Sequence, residues 1–463
     1  MNSYIVQVIG KLSGYRDLNI IISGKNFRVK LVSEAIKKLI GEGSEIVLYV
    51  PESLITQVTD DPREAANYIE SPQFLQEVFQ EKIEENHLLE EDFNVRIVRS
   101  AGLYIGGKRN YRIQFINDLD SIITYLFLDL LELGEANIVA DISTGQNFYV
   151  VALLEALRHL LVYRKLGNIL DDHKPRFTIS TITPPAAEEP PEPQPVDFSE
   201  IDVKVFFEYP FKGVPEEGAK DSISLGDYIS KNLDEDVRGD IIKELVKEFR
   251  GDFEKVRGLL YACKMAFNAL KHNAPLCFYH PEIIDLNRFS AEEALSLLRK
   301  ILEHIESWKE ISVEEDGRLV KVKRVMVSRF NVINTFLTIA LFKSLRERLG
   351  GLSARGPPTL DEIEKGFERI YNALGLQLNT IFLSKEINDL KRAAESLSEG
   401  EERLYGELLK DRPGRPQDPK RNFLAHAGLT YDETLVRKDD GKIRIRYRGD
   451  CYERIRGYLS APL

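Results

Sequence analysis

The sequence predicts an α/β N-terminal domain, Rossmann-like with a mostly parallel sheet, followed by a mainly α-helical C-terminal region. Three observations carry that expectation. Strand-like runs alternate with helix-spaced segments from Tyr4 to Ile182, the pattern of a doubly wound sheet. A proline-rich break, "TPPAAEEPPEPQP" (Thr183–Pro195), interrupts the alternation. Beyond Lys220 apolar residues recur three and four apart in successive segments, as amphipathic helices require.

Taken in order, "YIVQVIG" (Tyr4–Gly10) is a β-branched run closed by glycine. "SEIVLYVP" (Ser44–Pro51), "FNVRIVRS" (Phe93–Ser100) and "ANIVADIS" (Ala136–Ser143) read as further buried strands. Between them Leu31–Ile40, Pro72–Asn86 and Leu119–Glu132 have helical spacing, and a long helix is expected over Gln146–Arg164. The prolines read as a loop between two strands of one domain, because "RFTISTIT" before them and "IDVKVFFEYP" after them both alternate. Ile201, Val203, Val205 and Phe207 would share one face of the second strand. An interdomain linker of polyproline character is the alternative.

The domain boundary is expected near Phe211–Lys220, dividing the chain into residues 1–212 and 213–463. Helices are expected over Ile241–Phe249, Lys255–Leu270, Ala291–Trp308, Ser328–Leu349, Leu360–Phe382 and Lys385–Leu409. "GRLVKVKRVMV" and "KIRIRYRG" would add a short strand pair to this helical domain.

Composition narrows the class. With 463 residues, 43% hydrophobic and 30% charged, the chain can bury the cores of two or three domains. Three cysteines without a CxxC spacing cannot frame a disulfide scaffold, which suits a reducing cytoplasm. The start "MNSYIVQVIG" lacks a basic segment, so no signal peptide is expected. The apolar runs around Leu126 and Leu337 are broken short of the ~18 residues a membrane span needs. A net charge of −11 argues against indiscriminate nucleic-acid coating. Residues 401–463 differ, with 14 Lys+Arg against 11 Asp+Glu.

That basic end contains "RPQDPKRNFLAHAGLTYD". Asp418 suits an N-cap, Pro419 the first helical position and Gly428 the residue after the end, so a short helix is expected over Pro419–Ala427. Asn422 and His426 are four apart on one face. Arg421 falls in the first turn, where the helix end also attracts anions. Internal transesterification of RNA requires proton transfer at the 2′- or 5′-oxygen and stabilisation of charge on phosphate. Imidazole can perform the first and guanidinium the second. A single helix supplies one histidine, and a homodimer would oppose two. The bland alternative is a capped surface helix whose histidine bonds a carbonyl.

A second candidate is "ADISTGQNFYVVALL" (Ala140–Leu154). A strand ends at Asp141–Ile142, and a Ser-Thr-Gly turn leads into a helix. Backbone N–H groups, hydroxyls and amides are thus placed at the carboxyl edge of a parallel sheet, where doubly wound folds bind nucleotides. Gly10, Lys11 and Ser13 would lie at the same edge. An ordinary strand–helix turn is the alternative, and no Walker loop is present. Cys263, His272, Cys277 and His280 match no common zinc spacing, and Cys263 shares apolar helical spacing with Phe267. No metal site is therefore expected.

These stretches resemble the CRISPR-associated CARF–HEPN ribonucleases, ancillary effectors of type III CRISPR systems. "RNFLAHAGLT" resembles the HEPN signature of arginine, a polar residue, three variable positions and histidine. "ADISTGQN" resembles the fourth-strand motif of CARF domains. "VIGKLSGYRDLNIIISGKNFRVKLVSEAI" resembles their first strand, hairpin and first helix, and "VLYVPESLI" their second strand and loop. The resemblance covers both ends of the chain, and Lys220 to Lys410 carries no motif.

The resemblance implies a homodimer, with larger assemblies left open, acting on single-stranded RNA and away from membranes. Gly10, Lys11, Ser13, Ser143, Thr144, Gly145, Gln146 and Asn147 would bind a cyclic oligoadenylate, expected to be the tetra-adenylate. Arg421, Asn422 and His426 would cut RNA without a metal or other cofactor, leaving a 2′,3′-cyclic phosphate and a 5′-hydroxyl. Lys410, Arg412, Arg415 and Lys420 would hold the RNA backbone. A non-catalytic nucleotide sensor or transcriptional regulator, with HEPN as a structural dimerisation module, is the rival. No recognition helix-turn-helix follows the α/β half.

Overall fold

A computed structural model describes residues 3–106, 111–170, 177–182, 193–203, 223–315, 317–409 and 418–460. The N-terminal half contains, in chain order, β1 (Ser3–Val8), β2 (Leu18–Ile22), β3 (Lys25–Val29), α1 (Val32–Ile40) and β4 (Ser44–Pro51). Next come α2 (Pro62–Glu70), α3 (Pro72–Glu85), β5 (Phe93–Val98), β6 (Gly102–Gly106) and β7 (Tyr111–Ile116). α4 (Leu119–Leu131), β8 (Asn137–Asp141), α5 (Asn147–Gly167), β9 (Phe177–Ile182) and β10 (Gln194–Ile201) complete it.

The main sheet has the order β3-β2-β10-β9-β8-β1-β4-β5. Its central strands are parallel, β1 lying between β4 and β8. Alternation along these strands divides the core. Ile5, Ile46, Leu48 and Val50 face α1–α3, whereas Val6, Val8, Val47 and Tyr49 face α4 and α5.

The proline run does connect paired strands, since β10 lies antiparallel to β9 with Val196 opposite Ile182. The second strand starts earlier than expected, at Gln194, and Pro195 pairs in register with Ile21 of β2. Val205, Phe207 and the expected boundary at Phe211–Lys220 lie outside the described residues.

The second half contains α6 (Glu235–Lys271), α7 (Ala291–Ser307), β11 (Glu310–Val313), β12 (Leu319–Lys323) and α8 (Arg329–Leu349). It continues with α9 (Leu360–Ala373), α10 (Gln377–Ala393), β13 (Glu402–Leu404) and α11 (Pro419–Ala425). β14 (Thr434–Asp439), β15 (Lys442–Tyr447) and α12 (Tyr452–Ser460) end it.

Three helix expectations need correction. Ile241–Phe249 and Lys255–Leu270 belong to one 37-residue helix, α6, because the residues between them remain helical. Leu360–Phe382 is broken after Ala373, where Gly375 takes φ 74° and Leu376 N–H donates to the Tyr371 carbonyl. That is a Schellman ending, and glycine makes its left-handed residue strain-free. The helix expected over Lys385–Leu409 stops at Ala393, and Glu402–Leu404 pairs with β14 instead.

The strand "GRLVKVKRVMV" does not merely decorate the helices. β12 pairs in parallel with β7, so a second sheet, β11-β12-β7-β6, joins both halves of the chain. The main-chain junction is reinforced by packing. Phe127 of α4 meets Phe336 of α8 edge to face, with ring centroids 5.9 Å apart. Arg324, just after β12, makes a buried bidentate ion pair with Glu52, at 2.9 and 2.6 Å. The halves share one continuous core.

Candidate functional site

At the first site, the sheet itself brings the expected residues together. From β1 the chain builds outward to β4 and β5, then returns to lay β8 on the other side of β1. The loops after β1 and β8 therefore leave a topological switch point side by side. Gly10 and Gly145 are in backbone contact there. A Cβ on Gly10 would stand 3.3 Å from Gly145 Cα, and one on Gly145 only 2.8 Å from the Val8 carbonyl oxygen. Gly145 also has φ 100°, so glycine is needed at this approach.

Thr144 fastens the second loop to the first strand. Its hydroxyl donates to the Val8 carbonyl at 3.1 Å and accepts from Gln7 Nε2 at 2.7 Å. Gln7, fully buried, accepts in turn from Ser33 of α1. Ser143 donates from both its N–H and hydroxyl to Asp141, which also accepts from Ser180. Burial pushes the Asp141 carboxyl up to about 6, although these hydrogen bonds pull the other way. Lys11 and Ser13 are exposed, and the Lys11 ammonium donates to the Gly14 carbonyl at 2.7 Å and lies 4.8 Å over the Tyr15 ring. Gln146 and Asn147 are exposed where α5 begins. Gln7, Tyr15 and Asp141 complete this edge and were absent from the expected set.

At the second site, Asp418 caps α11 by accepting from Arg421 N–H at 2.9 Å, as expected. The helix is shorter than expected. It ends at Ala425, His426 is the C-cap, and Ala427 and Gly428 take φ 52° and 72°. Gly428 N–H reaches the Phe423 carbonyl at 2.9 Å, which closes the end early. So short a helix carries little dipole, and the cation it adds is the exposed Arg421 guanidinium. Arg421 is exposed and makes no ion pair among the described residues.

His426 is half-buried, its ring 5.7 Å from that of Tyr431. Its Nδ1 lies 3.1 Å from Glu386 Oε2 on α10. Glu386 is 7% exposed and also pairs with Lys385 at 3.2 Å. Burial alone would raise the Glu386 carboxyl, but His426 and Lys385 together outweigh it and hold it below the ordinary range. The sequence did carry a signal for Glu386. It falls among Leu383, Ile387 and Leu390, the buried stripe of α10, where a carboxylate demands a partner.

The cysteine–histidine group has structural partners. Cys263 lies in the α6 core, Cys277 lies 3.7 Å from the Tyr447 hydroxyl, and His280 Nε2 accepts from Tyr447 N–H at 3.1 Å. Burial lowers the imidazoles of His272 and His280 to about 4. Lys410, Arg412 and Arg415 lie outside the described residues.

Comparison with known families matched two models, one in each half of the chain. The model described as "CRISPR system endoribonuclease Csx1, CARF domain" matches residues 4–178, which include both loops of the switch point. The model described as "CRISPR system endoribonuclease Csx1, HEPN domain" matches residues 376–449, which include Glu386, Arg421, Asn422 and His426. A search of curated proteins found no match. Fold and matches together define a CRISPR-associated ribonuclease. The chain belongs to the CARF–HEPN ribonuclease family, with its CARF domain in the α/β half and its HEPN domain in the helical half.

Proposed function

We propose that this ribonuclease is a metal-independent endoribonuclease for single-stranded RNA, switched on by a cyclic oligoadenylate bound at the sheet edge. The His426 constellation carries the reading: an imidazole held by buried Glu386, with the exposed guanidinium of Arg421 on the same short helix. One imidazole takes the 2′-hydroxyl proton as that oxygen attacks phosphorus. A second, from a partner copy, gives a proton to the 5′-oxygen as the P–O5′ bond breaks. Arg421 stabilises charge on the non-bridging oxygens, and Asn422 orients the phosphate. The products are a 2′,3′-cyclic phosphate and a 5′-hydroxyl.

A homodimer fits the surface of α10. Leu378, Ile381 and Phe382 are 68%, 65% and 56% exposed, and Leu378 and Phe382 lie two turns and one turn before Glu386. A second copy covering this stripe would bring its own His426 toward the first. At the other end, Gly10, Lys11, Ser13, Ser143, Thr144, Gly145, Gln146 and Asn147 offer N–H groups, hydroxyls and an ammonium to the phosphates and 2′-hydroxyls of cyclic tetra-adenylate. Binding there shifts the population toward the cutting geometry of the HEPN pair. No helix among the described residues is long and apolar enough to cross a membrane. Action in the cytoplasm accords with three cysteines that form no disulfide among the described residues.

The test is cleavage of labelled single-stranded RNA in EDTA, with and without cyclic tetra-adenylate, by wild type and His426→Ala. Cutting that survives EDTA, requires the messenger and disappears in the variant is expected. Activity persisting in His426→Ala would move the chemistry elsewhere.

A further inference from the structure

The HEPN signature ends at His426, yet the imidazole takes its hydrogen-bond partner from a different helix. We infer that Glu386 is the positioning residue of the active site, fixing His426 with its Nδ1 proton toward α10 and its Nε2 toward the RNA. The inference rests on the ribonuclease reading above. Three observations support it. Glu386 Oε2 is 3.1 Å from Nδ1, and an ionised carboxylate can only accept, so Nδ1 must carry the proton. The carboxylate is 7% exposed and lies among Leu383, Ile387 and Leu390, so its rotamer is held by packing. Lys385 binds the other oxygen at 3.2 Å, which keeps the carboxylate ionised and turned toward the histidine.

The consequence is chemical as well as geometric. With Nδ1–H engaged, Nε2 presents a lone pair to the 2′-hydroxyl, or a proton to the 5′-oxygen when the ring is charged. A buried carboxylate beside the ring stabilises the imidazolium that forms during proton transfer. Glu386 itself stays ionised and touches no substrate. The Tyr431 ring packs 5.7 Å from the imidazole, with Asp389 further along α10 paired to Lys385 at 3.7 Å.

The experiment compares wild type, Glu386→Gln, Glu386→Ala and His426→Ala, in full-length protein activated by cyclic tetra-adenylate. kcat and KM are measured per folded molecule, with melting temperature and messenger binding recorded alongside. Glu386→Gln is nearly isosteric, but its amide N–H can face Nδ1 and favour the wrong tautomer. We expect kcat to fall at least about tenfold with KM and messenger binding unchanged. In nitrogen-15 histidine spectra, wild type should show the His426 signal, identified by its loss in His426→Ala, with the proton on Nδ1. Wild-type kcat in both Glu386 variants, or an Nε2–H tautomer in wild type, overturns the positioning role. A His426→Ala protein that still cuts overturns the ribonuclease assignment of this site instead.

Discussion

Arg421 and Asp418 separate the proposed chemistry from scaffolding within four residues. Arg421 is exposed and unpaired among the described residues, so its replacement has little folding energy to lose. Arg421→Lys keeps the charge but loses the planar fork, and should lower kcat at least tenfold on the order of general electrostatic contributions while leaving the melting temperature within about 1 °C. Asp418→Ala removes the cap on Arg421 N–H, and calorimetry should register a loss of about 1 kcal/mol. Asp141 gives a pH prediction. Its carboxyl is raised from 3.8 to about 6, so the folded state binds the proton more tightly than the unfolded chain. Its contribution to stability is therefore full below pH 3.8 and is lost as pH rises through about 6. Asp141→Asn should relieve up to about 3 kcal/mol of that penalty above pH 7 and little at pH 4, read from denaturant midpoints at each pH.

At the scale of elements, the switch point depends on two loops in backbone contact. Gly145→Ala would force a side chain into φ 100° and onto the Val8 carbonyl. We predict a loss of about 1–3 kcal/mol of stability together with loss of messenger binding, both measurable by calorimetry. Wild-type binding by this variant would place the pocket elsewhere. Gly10 was legible in the sequence as a strand end, but its reason is the approach of Gly145, more than a hundred residues away. α9 gives the opposite lesson. Its glycine stop at Gly375 stands in the sequence, yet helical spacing runs on either side of it. Only the contact between α9 and α10 reveals why the chain must turn there.

For the whole molecule, the ion pair of Glu52 with Arg324 ties the loop after β4 to the segment entering α8. Glu52 also accepts from Ser100 N–H, and Ser100 Oγ accepts from the Tyr149 hydroxyl on α5. This buried network runs from the helix that begins at the switch point to the helical half. Arg324→Met would strand a buried carboxylate, and chemical denaturation should show a loss of about 3–5 kcal/mol. Adding Glu52→Gln should restore part of it. A double variant no better than the single one would show that the arginine acts through packing alone.

The sequence by itself determined the α/β-then-helical order and the strands of the parallel sheet, and it carried the short motifs on which both proposed sites rest. Those depend on local periodicity, caps and short motifs, which neighbouring residues encode. Tertiary structure decided what required distant residues to meet. β12 joined the N-terminal hairpin, the core ran across both halves, and Glu386 came to His426 from another helix. A buried carboxylate and a half-buried imidazole, 40 residues apart, acquire their meaning only at 3.1 Å.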